Sequence, residues 1–501
     1  MSRDNDLDQV EEISMYRRVG FVLGPLFFVI LLILPELAGM TPTAQRMAAV
    51  TIWMAIWWIT EAIPIPATAL LPLVLFPLLG IASAKTAATP YANHLIFLFL
   101  GGFFIALGVQ KWQLHKRIAL KTISVLGFSP PRLVLGFMIA TAFLSMWISN
   151  TATAVIMLPI GLAVVKHFQS DDSDGRDKKI GNFGSALMFG IAYAASIGGI
   201  GTLIGTPPNI ILAGMLEEMH GQSISFTRWM MVGLPLVIVF LPIAWFYLTR
   251  IACPVWGSGG LSGSSVIREE LSKIGKMSVQ ERRVAMVFFL TALAWVLSDA
   301  KNFGSFTIPG LKSLFPGITD STIAMSGALA LFILPAKGIS GKRLLDWSSA
   351  KDIPWGILLL FGGGLALAEG FKLTQLDLWI GGRLDLFQYC PILLIIIVLV
   401  ALVIFLTEVT SNTATTAMIL PVCGALAVTI GQDPLLLMVP AAMAASCAFM
   451  LPVGTPPNAL IFASGQVTIP QMARIGVWLN FMGIVIITLI TYAVAIPLLG
   501  L

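Results

Sequence analysis

Long apolar runs, separated by short polar or charged breaks, fill almost the whole of this 501-residue chain. A helix needs about 20 apolar residues to cross the ~30 Å hydrocarbon core of a bilayer. Eleven spans of this kind are predicted near 20–39, 47–63, 66–82, 94–110, 183–217, 228–250, 284–298, 322–336, 354–371, 434–464 and 475–500. Two further apolar segments, 132–166 and 389–430, are interrupted near their middles by one polar pentapeptide, SNTAT, at 149–153 and 411–415. Each segment is long enough for two half-depth helices, so both are read as re-entrant hairpins with a polar tip inside the membrane. The expected fold class is an all-α polytopic membrane protein.

Composition sharpens this picture. Hydrophobic residues make up 57% of the chain and charged residues 11%, with mean hydropathy +0.90, too little charge to cover a soluble protein of this size. The start, MSRDNDLDQVEEISMYRRVG, has no short apolar core before a small-residue cleavage site and is read as a cytoplasmic segment, residues 1–19. Cys253, Cys390, Cys423 and Cys447 form no CxxC, and His94, His115, His167 and His220 show no ligand spacing. No P-loop, GxSxG or HExxH is present, so no enzyme class is supported. The net charge of +5 reports loops rather than a nucleic-acid partner. With the N-terminus in the cytoplasm, the C-terminus outside and each hairpin returning to its own side, 23 of the 30 Lys and Arg fall on cytoplasmic loops. Such a bias sets topology in membrane proteins.

The chain repeats itself. GTPPN occurs at 205–209 and 454–458, and FLGGFFIALG at 99–108 resembles LFGGGLALAEG at 360–370. Asn150 and Asn412 are 262 residues apart, and Gly205 and Gly454 are 249 apart; the charged stretch KHFQSDDSDGRDKK accounts for most of the difference. Three similarities in the same order imply an internal duplication. Five spans separate the hairpins, an odd number, so the repeats are expected to face opposite ways. Inverted repeats with interrupted helices mark secondary transporters that bind cargo near the bilayer midplane.

The repeated motifs suit ion chemistry. At each tip, one helix ends with free carbonyls and the next begins with free N–H groups. A cation can sit against the first and a carboxylate against the second. Ser145 and Thr407 lie four residues before Ser149 and Ser411 and place a hydroxyl one turn back. In GGIGTLIGTPPN, glycines allow unwound backbone, Pro207 bars helical geometry at Thr206, and a new helix starts at the prolines. LPVGTPPN at 451–458 repeats the break around Gly454, Thr455 and Pro456. Glu61 and Glu369 fall near span ends; Glu408 lies one turn before the second tip, where repeat one has Met146. Glu408 is read first as an acceptor for backbone N–H groups or hydroxyls, and second as a cation ligand. Neither hairpin core carries Lys or Arg. A bound anion must therefore rely on helix N-termini, amides, hydroxyls and co-bound cations.

With Ser149-Asn150-Thr151, Ser411-Asn412-Thr413 and both GTPPN breaks in place, the chain resembles the divalent anion:sodium symporter family, the INDY-type dicarboxylate and citrate carriers, from about residue 20 to 501. The resemblance implies a homodimer in the cell membrane, surrounded by lipid, with an elevator movement of a transport domain (126–251 and 386–501) against a scaffold (20–125 and 252–385). It implies one Na⁺ held by Ser145, Ser149, Asn150 and Gly201, and a second by Thr407, Thr410, Asn412 and Gly454. A dicarboxylate would bridge Asn150, Thr151, Asn412 and Thr413, with Thr202 and Pro456 lining the site. The expected activity is Na⁺-coupled symport of C4-dicarboxylates such as succinate, malate and fumarate, with Na⁺ as coupling ion and no organic cofactor. A Na⁺-independent dicarboxylate exchanger, a citrate or sulfate carrier of the same family, and an anion-binding scaffold or sensor are the alternatives.

Overall fold

The computed structural model describes residues 15–170, 177–255, 264–303, 306–337 and 341–499. The acidic start, residues 171–176 of the charged stretch between the first hairpin and the first break, and the last residue of the final span lie outside them.

Four helices open the chain: α1 (Met15–Ile33), α2 (Pro42–Thr60), α3 (Ile65–Thr68) and α4 (Leu71–Leu78). After α5 (Ala84–Ala88), the first repeat runs through α6 (His94–Lys111), α7 (Leu114–Leu126), hairpin arms α8 (Pro130–Ser145) and α9 (Asn150–Ser170), broken pair α10 (Asp177–Gly199) and α11 (Pro207–His220), and α12 (Phe226–Phe246). A linking section holds α13 (Ser264–Ile274), α14 (Val279–Val296), a two-stranded antiparallel ribbon of β1 (Lys301–Phe303) and β2 (Phe306–Ile308), α15 (Leu311–Leu314) and α16 (Asp320–Ile333). The second repeat is α17 (Trp355–Thr374), α18 (Leu376–Arg383), hairpin arms α19 (Ile392–Thr407) and α20 (Asn412–Thr429), broken pair α21 (Leu435–Ala445) and α22 (Pro456–Ala463), and α23 (Ile469–Ile490), followed by α24 (Ile496–Leu499).

The duplication reaches beyond the motifs that revealed it. Gln113 and Gln375, also 262 apart, both adopt left-handed backbone, with φ of 57° and 59°, at the corners before α7 and α18. Both α12 and α23 run on into a short π-helical turn, at Tyr247–Ala252 and Thr491–Ala495. All predicted interruptions appear: the tips at 146–149 and 408–411 and the breaks at 200–206 and 446–455.

Three features differ from the sequence-based expectation. The span expected at 66–82 is two short helices, because Pro66, Pro72 and Pro77 remove backbone donors within one stretch. The carbonyl of Ala69 at the junction accepts from Tyr91 Oη at 2.5 Å instead. The hairpin arms exceed half depth: α8 and α19 have 16 residues each, about 24 Å at the α-helical rise. Arms α9 and α20 are among the seven described helices long and apolar enough to cross a membrane. Finally, α7, α13 and α18 occupy stretches read as loops. Helix α7 is amphipathic: Leu114, Leu120 and Ile123 are buried, while Lys121 is exposed.

Helix α7 is fastened to the linking section by charge. Arg117 and Glu281 of α14, 8% and 3% exposed, form a two-pronged ion pair through Nε–Oε1 and Nη2–Oε2, and Arg117 Nη1 donates to Gly275 O at 2.9 Å. At the surface, hydrogen bonds from Lys116 and then Lys273 hold the Glu270 carboxyl of α13 below its ordinary value. A buried pair contributes little net stability over an apolar one, but losing one member strands the other charge. Glu281→Ala is therefore expected to destabilise the detergent-solubilised protein by about 3–5 kcal/mol, read as a fall in its unfolding midpoint. The double change Arg117→Met with Glu281→Leu should recover most of that loss.

Candidate functional site

The two tips share one hydrogen-bond design. Ser145 Oγ, at the end of α8, lies 2.7 Å from Asn150 Oδ1 and 2.7 Å from Ala195 O on α10. Thr407 Oγ1, at the end of α19, lies 2.7 Å from Asn412 Oδ1 and 3.0 Å from Ala445 O on α21. Both hydroxyls are fully buried. A hydroxyl has one proton and cannot donate to two acceptors at once. Each cluster therefore holds three converging oxygens and a single proton, which leaves lone pairs of the kind that can coordinate a hard cation, as carbonyl oxygens that replace a hydration shell do.

The breaks are braced by the last residue of each GTPPN. Asn209 Nδ2 donates to Gly199 O at 3.0 Å and Thr202 O at 2.7 Å; Asn458 Nδ2 donates to Ala448 O at 3.2 Å and Leu451 O at 3.0 Å. The freed carbonyls are thus held in place without being consumed by a helix. Thr206 and Thr455 occupy the helix N-cap in extended backbone, but only the Thr455 side chain accepts a capping bond, from Asn458 N. Glycine is required where α12 and α23 cross the breaks. A Cβ at Gly233 would sit 2.5 Å from Ile200 O, and one at Gly476 2.1 Å from Phe449 O.

One link between tip and break differs between the halves. In the first, Thr202 Oγ1 donates to Met146 O. In the second, the equivalent positions are Leu451 and Glu408. Here the buried Glu408 carboxylate accepts from Phe449 N at 2.7 Å, Met450 N at 2.9 Å and Leu451 N at 3.1 Å, and from Asn480 Nδ2 at 2.8 Å. A side-chain donor on the break has been exchanged for a side-chain acceptor on the tip. With four donors turned to it, Glu408 serves as the acceptor for backbone N–H groups.

Both tips and both breaks meet at one cavity of about 640 Å³. Residues 149–151, 205–207, 411–413 and 454–457 line it. The lining also includes Ile65 and Pro66 of α3, Phe99 and Phe103 of α6, and Ile357 and Leu360 of α17. Of the sequence-predicted site residues, Ser149, Asn150, Thr151, Asn412, Thr413, Gly454 and Pro456 reach the wall. Ser145, Gly201, Thr202, Thr407 and Thr410 are buried behind it. Thr202 faces the first tip rather than the cavity, whose wall at the breaks carries Thr206 and Thr455 instead. Sequence reasoning missed the bracing role of Asn209, Asn458 and Asn480. For the first two a signal existed, an amide repeated at the start of two otherwise apolar helices. It also missed Glu61 as a wall residue.

Residues 17–501 match the profile of the sodium:sulfate symporter transmembrane region. The chain belongs to this family. Among curated proteins it is 47% identical over 486 residues to the sodium-dependent dicarboxylate transporter SdcS of Staphylococcus saprophyticus, covering 96% of this chain and 92% of that one. It is 46% identical over 485 residues to SdcS of Staphylococcus aureus, with the same coverage. Two solved structures are similar in fold. MtrF of Neisseria gonorrhoeae, described within a class of antimetabolite efflux pumps, has a TM-score of 0.57 at 13% identity over 95% of this chain and 96% of its own. The YdaH transporter of Alcanivorax borkumensis has a TM-score of 0.56 at 13% identity, over 88% and 97%. The symporter family and the paired oxygen clusters make the chain a transporter, not an enzyme.

The close approach of α23 to the second break yields a prediction for this family member. Gly476→Ala is expected to push the 448–451 carbonyls out of place and to raise the Na⁺ concentration for half-maximal transport severalfold or abolish transport. Uptake measured against Na⁺ concentration at constant ionic strength checks it; a larger side chain than Ala should be worse.

Proposed function

We propose that the chain is a Na⁺-coupled symporter of C4-dicarboxylates, such as succinate, malate and fumarate, in the cell membrane. The observation that carries this reading is the pair of one-proton oxygen clusters at the edge of one cavity whose wall, among the described residues, holds no cationic side chain. The identity to sodium-dependent dicarboxylate transporters supports the cargo.

Asn150 and Asn412 are the hinge of the coupling. Each amide turns Oδ1 toward its cluster, and each stands at the start of a helix, α9 or α20, whose first residues line the cavity. The Nδ2 of each makes no protein hydrogen bond among the described residues and is available to a carboxylate. A cation at Oδ1 fixes the amide with Nδ2 outward and adds positive charge beside the anion. An anion at Nδ2 favours the same orientation and strengthens the cation site. The coupling is therefore reciprocal, as linkage requires. In this reading Ser145, Ser149, Asn150 and the Gly201 carbonyl hold one Na⁺. Thr407, Asn412 and the Thr410 and Gly454 carbonyls hold the other, and Asn150, Thr151, Asn412 and Thr413 contact the dicarboxylate.

The distribution of polar groups supports an elevator movement. Apart from Glu61, every polar side chain on the cavity wall belongs to a hairpin tip or a break. The cargo is thus bound by one part of the molecule and faces an apolar surface on the other, along which the first part can slide. Opposed orientation of the repeats, a cytoplasmic N-terminus and a homodimer complete the proposal.

In proteoliposomes, an inward Na⁺ gradient is expected to drive succinate uptake, and Asn150→Ala and Asn412→Ala are each expected to abolish it. Uptake that ignores Na⁺ but requires internal succinate would favour the exchanger. Competition by sulfate or citrate but not by malate would move the cargo to another anion of the family.

A further inference from the structure

Among the described residues on the cavity wall, Glu61 alone is ionisable. A carboxylate is an unexpected neighbour for an anion, and its setting is specific. Glu61 follows α2 in left-handed backbone, φ 47° and ψ 40°, a conformation that a residue with a Cβ adopts only where its surroundings hold it. It is held from two sides. Arg17 of α1 donates through Nη2 to Glu61 Oε2 at 3.1 Å. On the other side the chain turns into the proline-containing α3, where Trp58 Nε1 donates to Ile65 O at 3.2 Å. Arg17 itself is not on the wall. The pair is therefore oriented, with its negative end toward the cavity and its positive end away.

Glu61 belongs to the otherwise apolar part of the lining, not to the tips themselves. Resting on the elevator reading above, the tips approach Glu61 in one position of the movement and leave it in the other. A charge fixed on the stationary side acts on the cargo in one state only, and such differential interaction shifts a two-state cycle. Glu61, at the end of α2, lies beside the start of α1, whose Arg17 and Arg18 are read from the sequence as cytoplasmic.

We infer that Glu61 is a specificity-determining residue for release: its carboxylate lowers the affinity for the dicarboxylate when the cavity is open to the cytoplasm, and Arg17 sets how strongly it does so. Salt screens the effect, because a mouth open to water is subject to a Debye length of about 8–10 Å.

The test compares succinate KM on the two faces, using inside-out and right-side-out membrane vesicles, for wild type, Glu61→Gln and Arg17→Gln. The expected result is a severalfold fall in the ratio of cytoplasmic to outer KM for Glu61→Gln and a rise for Arg17→Gln, both shrinking as ionic strength increases. The opposite signs are the decisive readout. A pair that only braces α1 against α2 would move both variants in the same direction, and that outcome overturns the inference, as does an unchanged ratio in both. Wild-type vesicles provide the separate control: if their succinate transport ignores Na⁺, the symport reading fails independently of Glu61.

Discussion

Everything at the centre of this molecule follows from one shortage: two hydroxyls, Ser145 and Thr407, each placed within hydrogen-bond reach of two acceptors with one proton to give. In water the surplus lone pairs would be hydrated. Inside an apolar fold they are a standing cost unless a cation meets them. The interrupted helices, the glycine crossings and the bracing amides can be understood as devices that keep these oxygens converged. Asn209 and Asn458 stop the breaks from rewinding, and Gly233 and Gly476 let neighbouring helices pass within contact of the exposed carbonyls.

The duplication supplies the same device twice, and its two copies have diverged where they are joined. Thr202 on the break bonds a tip carbonyl in the first half, whereas Glu408 on the tip collects three backbone N–H groups and the Asn480 amide in the second. Four donors turned on one carboxyl fix its orientation and make a rigid platform of it. The second tip is therefore bonded to its break by more donors than the first, which gives two similar oxygen clusters different surroundings.

Much of this was legible in the chain. The tips, breaks and their repeat were readable because SNTAT and GTPPN are polar or helix-breaking words in an apolar text, where nothing but function or packing tolerates them. Of the residues that the family resemblance implied for the anion, Asn150, Thr151, Asn412, Thr413 and Pro456 line the cavity, and Thr202 does not. The split of the 66–82 span was less accessible, because single prolines often only kink an apolar helix and it takes Tyr91, from beyond the next turn, to satisfy the freed Ala69 carbonyl. The amphipathic helices α7, α13 and α18 were hidden by their charge, which reads as loop when hydrophobic length is the signal.

By itself the sequence determined which segments must be buried in lipid, where their helices must break, and that the same break occurs twice, since hydropathy, proline and glycine act locally on the backbone. The tertiary structure alone decided which oxygens converge. Ala195 meets Ser145 across 50 residues, and Glu61 meets Arg17 across 44. It also turned Thr202 away from the cavity and brought Glu61 to its wall. These are contacts between distant segments, set by how helices pack around shared carbonyls, and no local pattern encodes the direction in which a side chain will find its partner.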